Sequence, residues 1–119
     1  NLRKAYDEGT TIKAATHEYR GVTYVWEVVK NLEKAIALPG GIYNFGCPNH
    51  LNSHSLITEA AQLMNLSQPA AWILPDTERF AEQERNLTMD CTRIEASGIH
   101  FPDSLAGIQA ALRWPFRTE

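Results

Sequence analysis

The most regular hydrophobic pattern in the chain lies between Thr23 and Leu38, where apolar residues recur every three or four positions. Its members are Val25, Val28, Val29, Leu32 and Ile36. This spacing predicts a helix with the five side chains on one face. Thr23 is the expected N-cap, and Glu27 lies in the first turn, where a carboxylate is favoured. Pro39 and the glycines after it end the helix.

Three further helices are predicted from their ends and their apolar faces. A short helix over residues 2–8 stops at Gly9. Asn52 or Ser53 caps a second one, whose core-facing stripe is Leu56, Ile57, Ala60, Ala61 and Met64. Asp103, after a proline, opens the last one, on which Leu105, Ile108 and Leu112 share a face. Asp90 is expected to cap a shorter helical turn that Gly98 closes.

Three short apolar stretches are predicted to be strands, namely Thr10 to Ala15, Ile42 to Phe45 and Ala70 to Leu74. The segment from His17 to Gly21 is expected to be a polar loop, and the charged segment from Asp76 to Arg85 to be exposed. Alternating helices and strands favour an α/β fold of about four helices and three short strands.

Length and charge limit the classes of protein to which the chain can belong. The 119 residues predict a single domain over residues 1–119. Eleven basic and fourteen acidic residues give a net charge of -3 without a basic cluster, so nucleic acid is not an expected partner. No apolar run is long enough to cross a membrane. Two cysteines, expected to be free thiols, suit a reducing, cytoplasmic location.

Several kinds of catalytic or binding site are disfavoured by the motifs. His50 and His54 are four residues apart, but a helix cap separates them and no third metal ligand is evident, so no metal site is predicted. Cys47 and Cys91 lack the flanking motifs of catalytic cysteines and are expected to be small buried thiols. The chain has neither a Gly-x-Ser-x-Gly elbow nor a Gly-x-Gly-x-x-Gly turn for a dinucleotide.

Three polar residues remain as candidates for ligand contacts. Arg20 lies just before a predicted helix start, and a guanidinium beside a helix N-terminus suits a phosphate, although a solvated loop arginine is the ordinary alternative. Arg85 and Asn86 offer a fork-shaped donor and an amide in a segment without an evident structural role. Asp90 is interpreted as a helix cap rather than a catalytic acid.

The chain resembles a known family in three segments, taken in order. They are RGVTYVWEVVKNLEKAI, GGIYNFG and NLTMDCTRIEASGIHFPDSLAGIQAAL, and the similarity extends from Leu2 to about Leu112. They resemble the C-terminal half of sugar-nucleotide reductases such as dTDP-4-dehydrorhamnose reductase, which are extended short-chain dehydrogenases. The ending, with Trp114-Pro115-Phe116, is also similar to the regulatory beta subunit of methionine adenosyltransferase, a member of the same family.

The resemblance implies an NAD(P)-dependent oxidoreductase in which a nucleotide-binding half holds NAD(P)H and carries a Tyr-x-x-x-Lys pair. A smaller half binds the nucleotide-sugar. The resemblance implies that this chain corresponds to the second half, and none of its tyrosines is followed four positions later by lysine. Catalytic residues are therefore not expected here, and the 119 residues alone are expected to be inactive. A homodimer is also expected, since a face that normally packs on the other half would be bare.

By the same resemblance, Arg20 matches an arginine that contacts the substrate's diphosphate. The family's Arg-Pro-x-Asn corresponds to residues 83–86, so Asn86 matches while Gln83 and Glu84 do not. Arg85 is the nearest substitute for the missing arginine. The expected function is therefore to bind a nucleotide-linked 4-keto sugar for reduction, and the alternative is a non-catalytic regulatory or protein-binding role.

Overall fold

The computed structural model describes residues 1–114, which form a small α/β fold of six helices and four short strands. The helices are α1 Leu2–Glu8, α2 Val25–Ile36, α3 Ser53–Leu63, α4 Pro69–Trp72, α5 Thr92–Ala96 and α6 Ser104–Leu112. The strands are β1 Ile12–Ala15, β2 Glu18–Arg20, β3 Ile73–Asp76 and β4 Arg85–Leu87. They pair as two parallel sheets, β1 with β3 and β2 with β4. The predicted α/β class is confirmed, with more elements than predicted.

The chain forms two compact units, each built from two separated segments. Unit 1 comprises Asn1–Arg20 and His50–Leu87, and unit 2 comprises Gly21–Asn49 and the segment from Thr88 onwards. Each unit has a hydrophobic cluster of its own. The single substrate-binding domain over residues 1–119 stays a prediction, since both units come from separated parts of the same chain.

In unit 1, helix α3 packs against the sheet of β1 and β3. The buried centre of this unit is made by Ala14, Ala61, Leu66 and Ile73. Asn52 caps α3 by accepting a hydrogen bond from the Ser55 N–H at 2.8 Å, and the predicted apolar stripe faces inward. Helix α1 ends at Gly9, whose φ of 69° is left-handed, as predicted.

Two predictions for unit 1 are corrected by its backbone. The stretch from Ala70 to Leu74 is not a continuous strand, because Pro69 begins the short helix α4 and β3 starts only at Ile73. Proline suits the first position of a helix because its fixed φ is already helical. The predicted loop from His17 to Gly21 contains strand β2. Its partner β4 lies more than 60 positions away, so the local pattern gives no sign of the pairing.

In unit 2, the cluster consists of Cys47, Cys91, Ile94, Ile99 and Phe101. Phe45 packs edge-on against Phe101, with ring centroids 4.8 Å apart. The predicted strand from Ile42 to Phe45 is wrong, because this segment is irregular. It is held by side chains instead: Asn44 donates to the Asp90 carbonyl at 2.9 Å, and Arg93 donates to the Ile42 carbonyl at 3.1 Å.

Helix α2 is present as predicted, but its N-cap is not the expected residue. Its N-cap is Tyr24, and Thr23 instead accepts a hydrogen bond from the Cys47 N–H at 2.9 Å. The two side chains that α2 buries are polar, Glu27 and Asn31. Its aliphatic stripe is mostly exposed, the reverse of what is usual for an amphipathic helix.

The remaining helices predicted for unit 2, α5 and α6, are present, but the N-cap of α5 is Cys91 rather than Asp90. Asp103 caps α6 by accepting from the Ala106 N–H at 2.8 Å. Asp90 accepts from the Thr92 N–H at the start of α5, one residue before the assigned cap, and Gly98 follows the helix with a φ of 93°. Of the aromatic tail, Pro115 and Phe116 lie outside the described residues. Among residues 1–114, no helix is both long and apolar enough to span a bilayer.

Candidate functional site

The three residues predicted to contact a ligand lie on one structural element, the two-stranded sheet of β2 and β4. Arg20 is the last residue of β2, while Arg85 and Asn86 begin β4. In the parallel register, Glu18 is opposite Arg85, Tyr19 opposite Asn86, and Arg20 opposite Leu87. The strand pairing brings together residues that are at least 65 positions apart in the sequence. We call this element the β2–β4 ribbon.

The ribbon does not direct all three side chains to the same side. Side chains alternate along a strand, and residues in register point the same way. Arg20 and Arg85 therefore share one face with Glu18 and Leu87, whereas Asn86 shares the opposite face with Tyr19. Tyr19 also forms an isolated antiparallel bridge with Asn52, beside the start of α3. A ligand on the arginine face would meet two guanidinium groups and one carboxylate.

That carboxylate belongs to Glu18, which is buried. One of its oxygens accepts a hydrogen bond from the Ser53 hydroxyl at 2.9 Å, and the other lies 3.5 Å from a guanidinium nitrogen of Arg85. The side chain of Arg85 is 43% exposed, so the ion pair joins a buried carboxylate to a partly solvent-exposed guanidinium. Arg85 thus has a structural partner in the structure.

Phe80 adds an aromatic surface beside Arg85. The guanidinium carbon of Arg85 lies 5.4 Å from the Phe80 ring centroid, and that of Arg79 lies 5.1 Å from it. Both distances are in the range of cation–π contacts. Phe80 has a φ of 62°, a left-handed conformation that costs energy for a bulky residue. The ring is therefore held in place by two cations and a constrained backbone.

The segment that carries Phe80 also lines a shallow cleft of about 590 Å³. Its lining residues are Thr77, Glu78, Phe80, Ala81, Glu82 and Gln83. The Asp76 carboxylate accepts from the N–H groups of Glu78 and Arg79, which shapes the turn. The lining carries two carboxylates and no cation, so this cleft is unsuited to a phosphate. The predicted exposure of the segment is confirmed.

Unit 2 holds a second, smaller cleft of about 370 Å³, which no motif in the sequence indicates. Arg93 is its main polar group, and its guanidinium carbon lies 4.8 Å from the Tyr43 ring centroid. A Cβ added to Gly41 would lie 2.6 Å from an Arg93 nitrogen, so glycine is what allows the arginine to lie there. The double glycine before Ile42 was the only sequence signal of this close approach.

Asp90 lies in the same cleft, and its carboxylate forms hydrogen bonds with the first residue of α5. It accepts from the Thr92 N–H at 3.0 Å and from the Thr92 hydroxyl at 2.6 Å. These hydrogen bonds stabilise the charged form and lower the pKa of Asp90. Since a general acid must hold a proton near neutral pH, the structure agrees with the interpretation of Asp90 as a capping residue.

The two cysteines are buried and unpaired, as predicted. Burial raises the pKa of Cys47 and of Cys91, because it disfavours the thiolate. Cys91 also donates from its thiol to the Gly46 carbonyl at 3.4 Å. Neither thiol has the lowered pKa that an activated nucleophile requires.

The histidines considered as metal ligands are not brought to a common site with acidic or sulfur ligands. His54 lies with its Nε2 3.3 Å from the Ile73 carbonyl oxygen, a hydrogen bond between α3 and β3. Within residues 1–114, no group of three or more histidine, cysteine or acidic side chains is placed to hold a metal ion.

Comparison with known proteins gives no assignment: no protein-family model and no curated sequence matches the chain. Any functional conclusion therefore rests on the residues themselves.

Proposed function

We propose that this chain is the substrate-binding portion of an NAD(P)-dependent sugar-nucleotide reductase acting on a nucleotide-linked 4-keto sugar. The observation that supports it is the convergence of Arg20, Arg85 and Asn86 on the β2–β4 ribbon. The sequence pointed to Arg20 on a different ground from Arg85 and Asn86, and Arg20 lies 65 positions or more before them in the chain. Arg20 and Arg85 lie on the same face of the ribbon, where one ligand can contact both, whereas Asn86 lies on the opposite face.

In this proposal Arg20 binds the diphosphate of the nucleotide-sugar. A guanidinium presents several N–H donors in a fixed plane and matches phosphate oxygens in pairs. On the ribbon's arginine face, Glu18 forms an ion pair with Arg85, and Arg20 lies on that same face. Asn86, on the other face, is the weaker candidate for the same ligand. A combined site with the start of α2 stays a prediction.

The cofactor is assigned to a different part of the reductase. None of the four strands is followed by a Gly-x-Gly turn, and no Tyr-x-x-x-Lys pair occurs in the sequence. The residues present therefore do not fit NAD(P)H, and no hydride or proton transfer is derived for them. Their proposed role is to bind and orient the sugar-nucleotide.

The proposal is tested by calorimetry of the 119-residue chain with dTDP-glucose, a stable nucleotide-sugar. We expect measurable binding, which Arg20→Ala weakens by about 10- to 150-fold, because a charge-assisted hydrogen bond contributes about 1.5 to 3 kcal/mol. Arg3→Ala is the matched control, since it removes the same charge from α1 of the same unit. Absence of heat with dTDP-, UDP- and GDP-linked sugars, or equal effects of the two substitutions, would refute the proposal.

A regulatory, protein-binding role is the second candidate. It is favoured by the use of Arg85 as a partner of Glu18, which withdraws one of the three donors from a ligand. The coding sequence upstream of Asn1 distinguishes the two functions. A Gly-rich turn with a Tyr-x-x-x-Lys pair supports the reductase, and the turn without the pair supports the regulator.

A further inference from the structure

The cleft of about 370 Å³ in unit 2 contains two side chains of opposite charge, Arg93 and Asp90. Within residues 1–114, neither of them forms an ion pair, either with the other or with a third residue. Two opposite charges that share a cleft without pairing are able to bind a ligand that itself carries both signs. Sites for small molecules usually have volumes of about 300 to 1,000 Å³, so this cleft suits a small one.

The guanidinium of Arg93 is held in place and still has donors to offer. It lies 4.8 Å from the Tyr43 ring centroid, donates to the Ile42 carbonyl at 3.1 Å, and approaches Gly41 as closely as a bare backbone allows. A guanidinium has five N–H donors, and the Ile42 carbonyl is its one acceptor among the described residues. The remaining donors suit a carboxylate, which can accept two of them in parallel. Because the side chain is already positioned, binding requires little further ordering of it.

Three side chains of the same cleft offer oxygen acceptors, namely Asp90, Asn44 and Thr92. One carboxylate oxygen of Asp90 accepts from the N–H and the hydroxyl of Thr92, and the other accepts nothing within residues 1–114. The Asn44 amide donates to the Asp90 carbonyl at 2.9 Å and retains its own oxygen as an acceptor. The Thr92 hydroxyl gives its hydrogen to Asp90, so towards a ligand it can only accept. Three acceptors match the three N–H donors of an ammonium group.

The carboxylate among these acceptors is charged at neutral pH. Hydrogen bonds from the Thr92 hydroxyl and N–H lower the pKa of Asp90. The lining is completed by two apolar side chains, Ile42 and Ala96. Ile42 is 85% exposed, and a ligand with an aliphatic portion would remove part of it from water.

We propose that this cleft binds a free α-amino acid with an aliphatic side chain. Its carboxylate contacts Arg93, its ammonium group contacts the acceptors of Asp90, Asn44 and Thr92, and its side chain covers Ile42. Asp90 and Arg93 are three positions apart, so their Cα atoms are separated by no more than about 11 Å. The two charges of the ligand must therefore be close together, as they are in an α-amino acid. The site lies within unit 2 and the proposal does not rest on the proposed function, whose arginines belong to unit 1.

Titration of the isotope-labelled 119-residue chain with L-leucine, followed by amide chemical shifts in NMR, tests the proposal. The largest shifts are expected at Asn44, Asp90 and Arg93, with a dissociation constant of roughly 0.1–1 mM for so small a ligand. Isocaproate, which lacks the ammonium group, and isoamylamine, which lacks the carboxylate, should each bind about tenfold or more weakly, because each leaves one charge of the cleft unpaired. No shifts in the cleft at about 20 mM L-leucine, or equal affinity for the three compounds, would overturn the proposal.

Two variants test the two ends of the ligand separately. Arg93→Gln should weaken L-leucine by about tenfold or more and leave isoamylamine bound at least as tightly as before. Asp90→Asn should weaken L-leucine similarly and leave isocaproate bound at least as tightly. Arg113→Gln is the matched control, since Arg113 follows α6 in the same unit and does not line the cleft.

The spectrum of each variant shows in the same measurement whether it is folded. Equal effects of Arg93→Gln and Arg113→Gln on L-leucine would contradict the proposal. So would loss of isoamylamine binding together with L-leucine binding in a folded Arg93→Gln chain. No nucleotide-sugar is present in these titrations, so their failure would leave the proposed function standing.

Discussion

The ion pair between Glu18 and Arg85 allows the structural role of the β2–β4 ribbon to be measured apart from any ligand. Arg85→Ala removes the cation and leaves the buried carboxylate of Glu18 with the hydrogen bond from the Ser53 hydroxyl. Glu18→Gln removes the charge but keeps an oxygen that can accept from Ser53. The two variants and their combination form a double-mutant cycle.

The expected coupling follows from the geometry. At 3.5 Å, two unit charges attract by about 1 kcal/mol in water and by about 5 kcal/mol at an effective dielectric of 20. Because Arg85 is 43% exposed, solvent screening brings the pair toward the lower value. We expect a coupling of about 1 kcal/mol, and about 1 to 2 kcal/mol of lost stability for Arg85→Ala, since a buried carboxylate loses its cation.

Urea denaturation followed by circular dichroism measures these free energies of unfolding. Arg79→Ala is the control, because it removes a guanidinium from the same Phe80 ring without changing the contacts of Glu18. It should cost no more than about 0.5 kcal/mol. A coupling of zero, or equal losses for the two arginine variants, would refute the conclusion that Arg85 has a structural role.

Three further predictions concern unit 2. Ser104→Ala should lower the free energy of unfolding by about 1 to 2 kcal/mol, because the fully buried Ser104 hydroxyl accepts a hydrogen bond from the Val22 N–H at 2.8 Å. A loss below about 0.3 kcal/mol in urea denaturation would contradict this prediction. The lowered pKa of Asp90 implies stability that is present above the ordinary aspartate pKa and is lost as pH falls through the lowered value. Asp90→Asn should therefore flatten the acid limb of a urea midpoint titration at and below the ordinary aspartate pKa, and an unchanged limb would count against it. The two buried cysteines, whose pKa values are raised, should react with Ellman's reagent at about pH 8 only as fast as the protein opens, so immediate labelling of the folded chain would show the burial to be wrong.

The features that could be predicted from the sequence are those that depend on residues close together in the chain. Caps such as Asn52 and Asp103, the stop at Gly9 and the inward stripe of α3 depend on neighbours a few positions away, and all are confirmed. Strands β2 and β4 were missed because each is three residues long and is defined by a distant partner. The division into two units was also invisible, since the chain has no linker-like segment at any of the points where it passes from one unit to the other.

The candidate site was predicted in the same partial way. Residue type identified Arg20, Arg85 and Asn86, but it could not reveal that Glu18 lies opposite Arg85, because that contact arises from a strand register. Arg93 escaped notice because its position depends on the bare backbone of Gly41, far from it in the sequence. The chemical groups of the candidate site could be predicted from the sequence. The residues that contact them in the folded chain, and so limit what they can bind, could not.

The interleaving of the two units determines when each can form during synthesis. Unit 1 needs residues up to Leu87, so β1 and β2 must wait on the ribosome for partners made more than 60 residues later. Helix α2 leaves the ribosome exit tunnel well before the segment that completes its own unit. Until that segment emerges, the hydrophobic residues of unit 2 are available to chaperones, and closure over such sequence distances is expected to make refolding slow for a chain of this length.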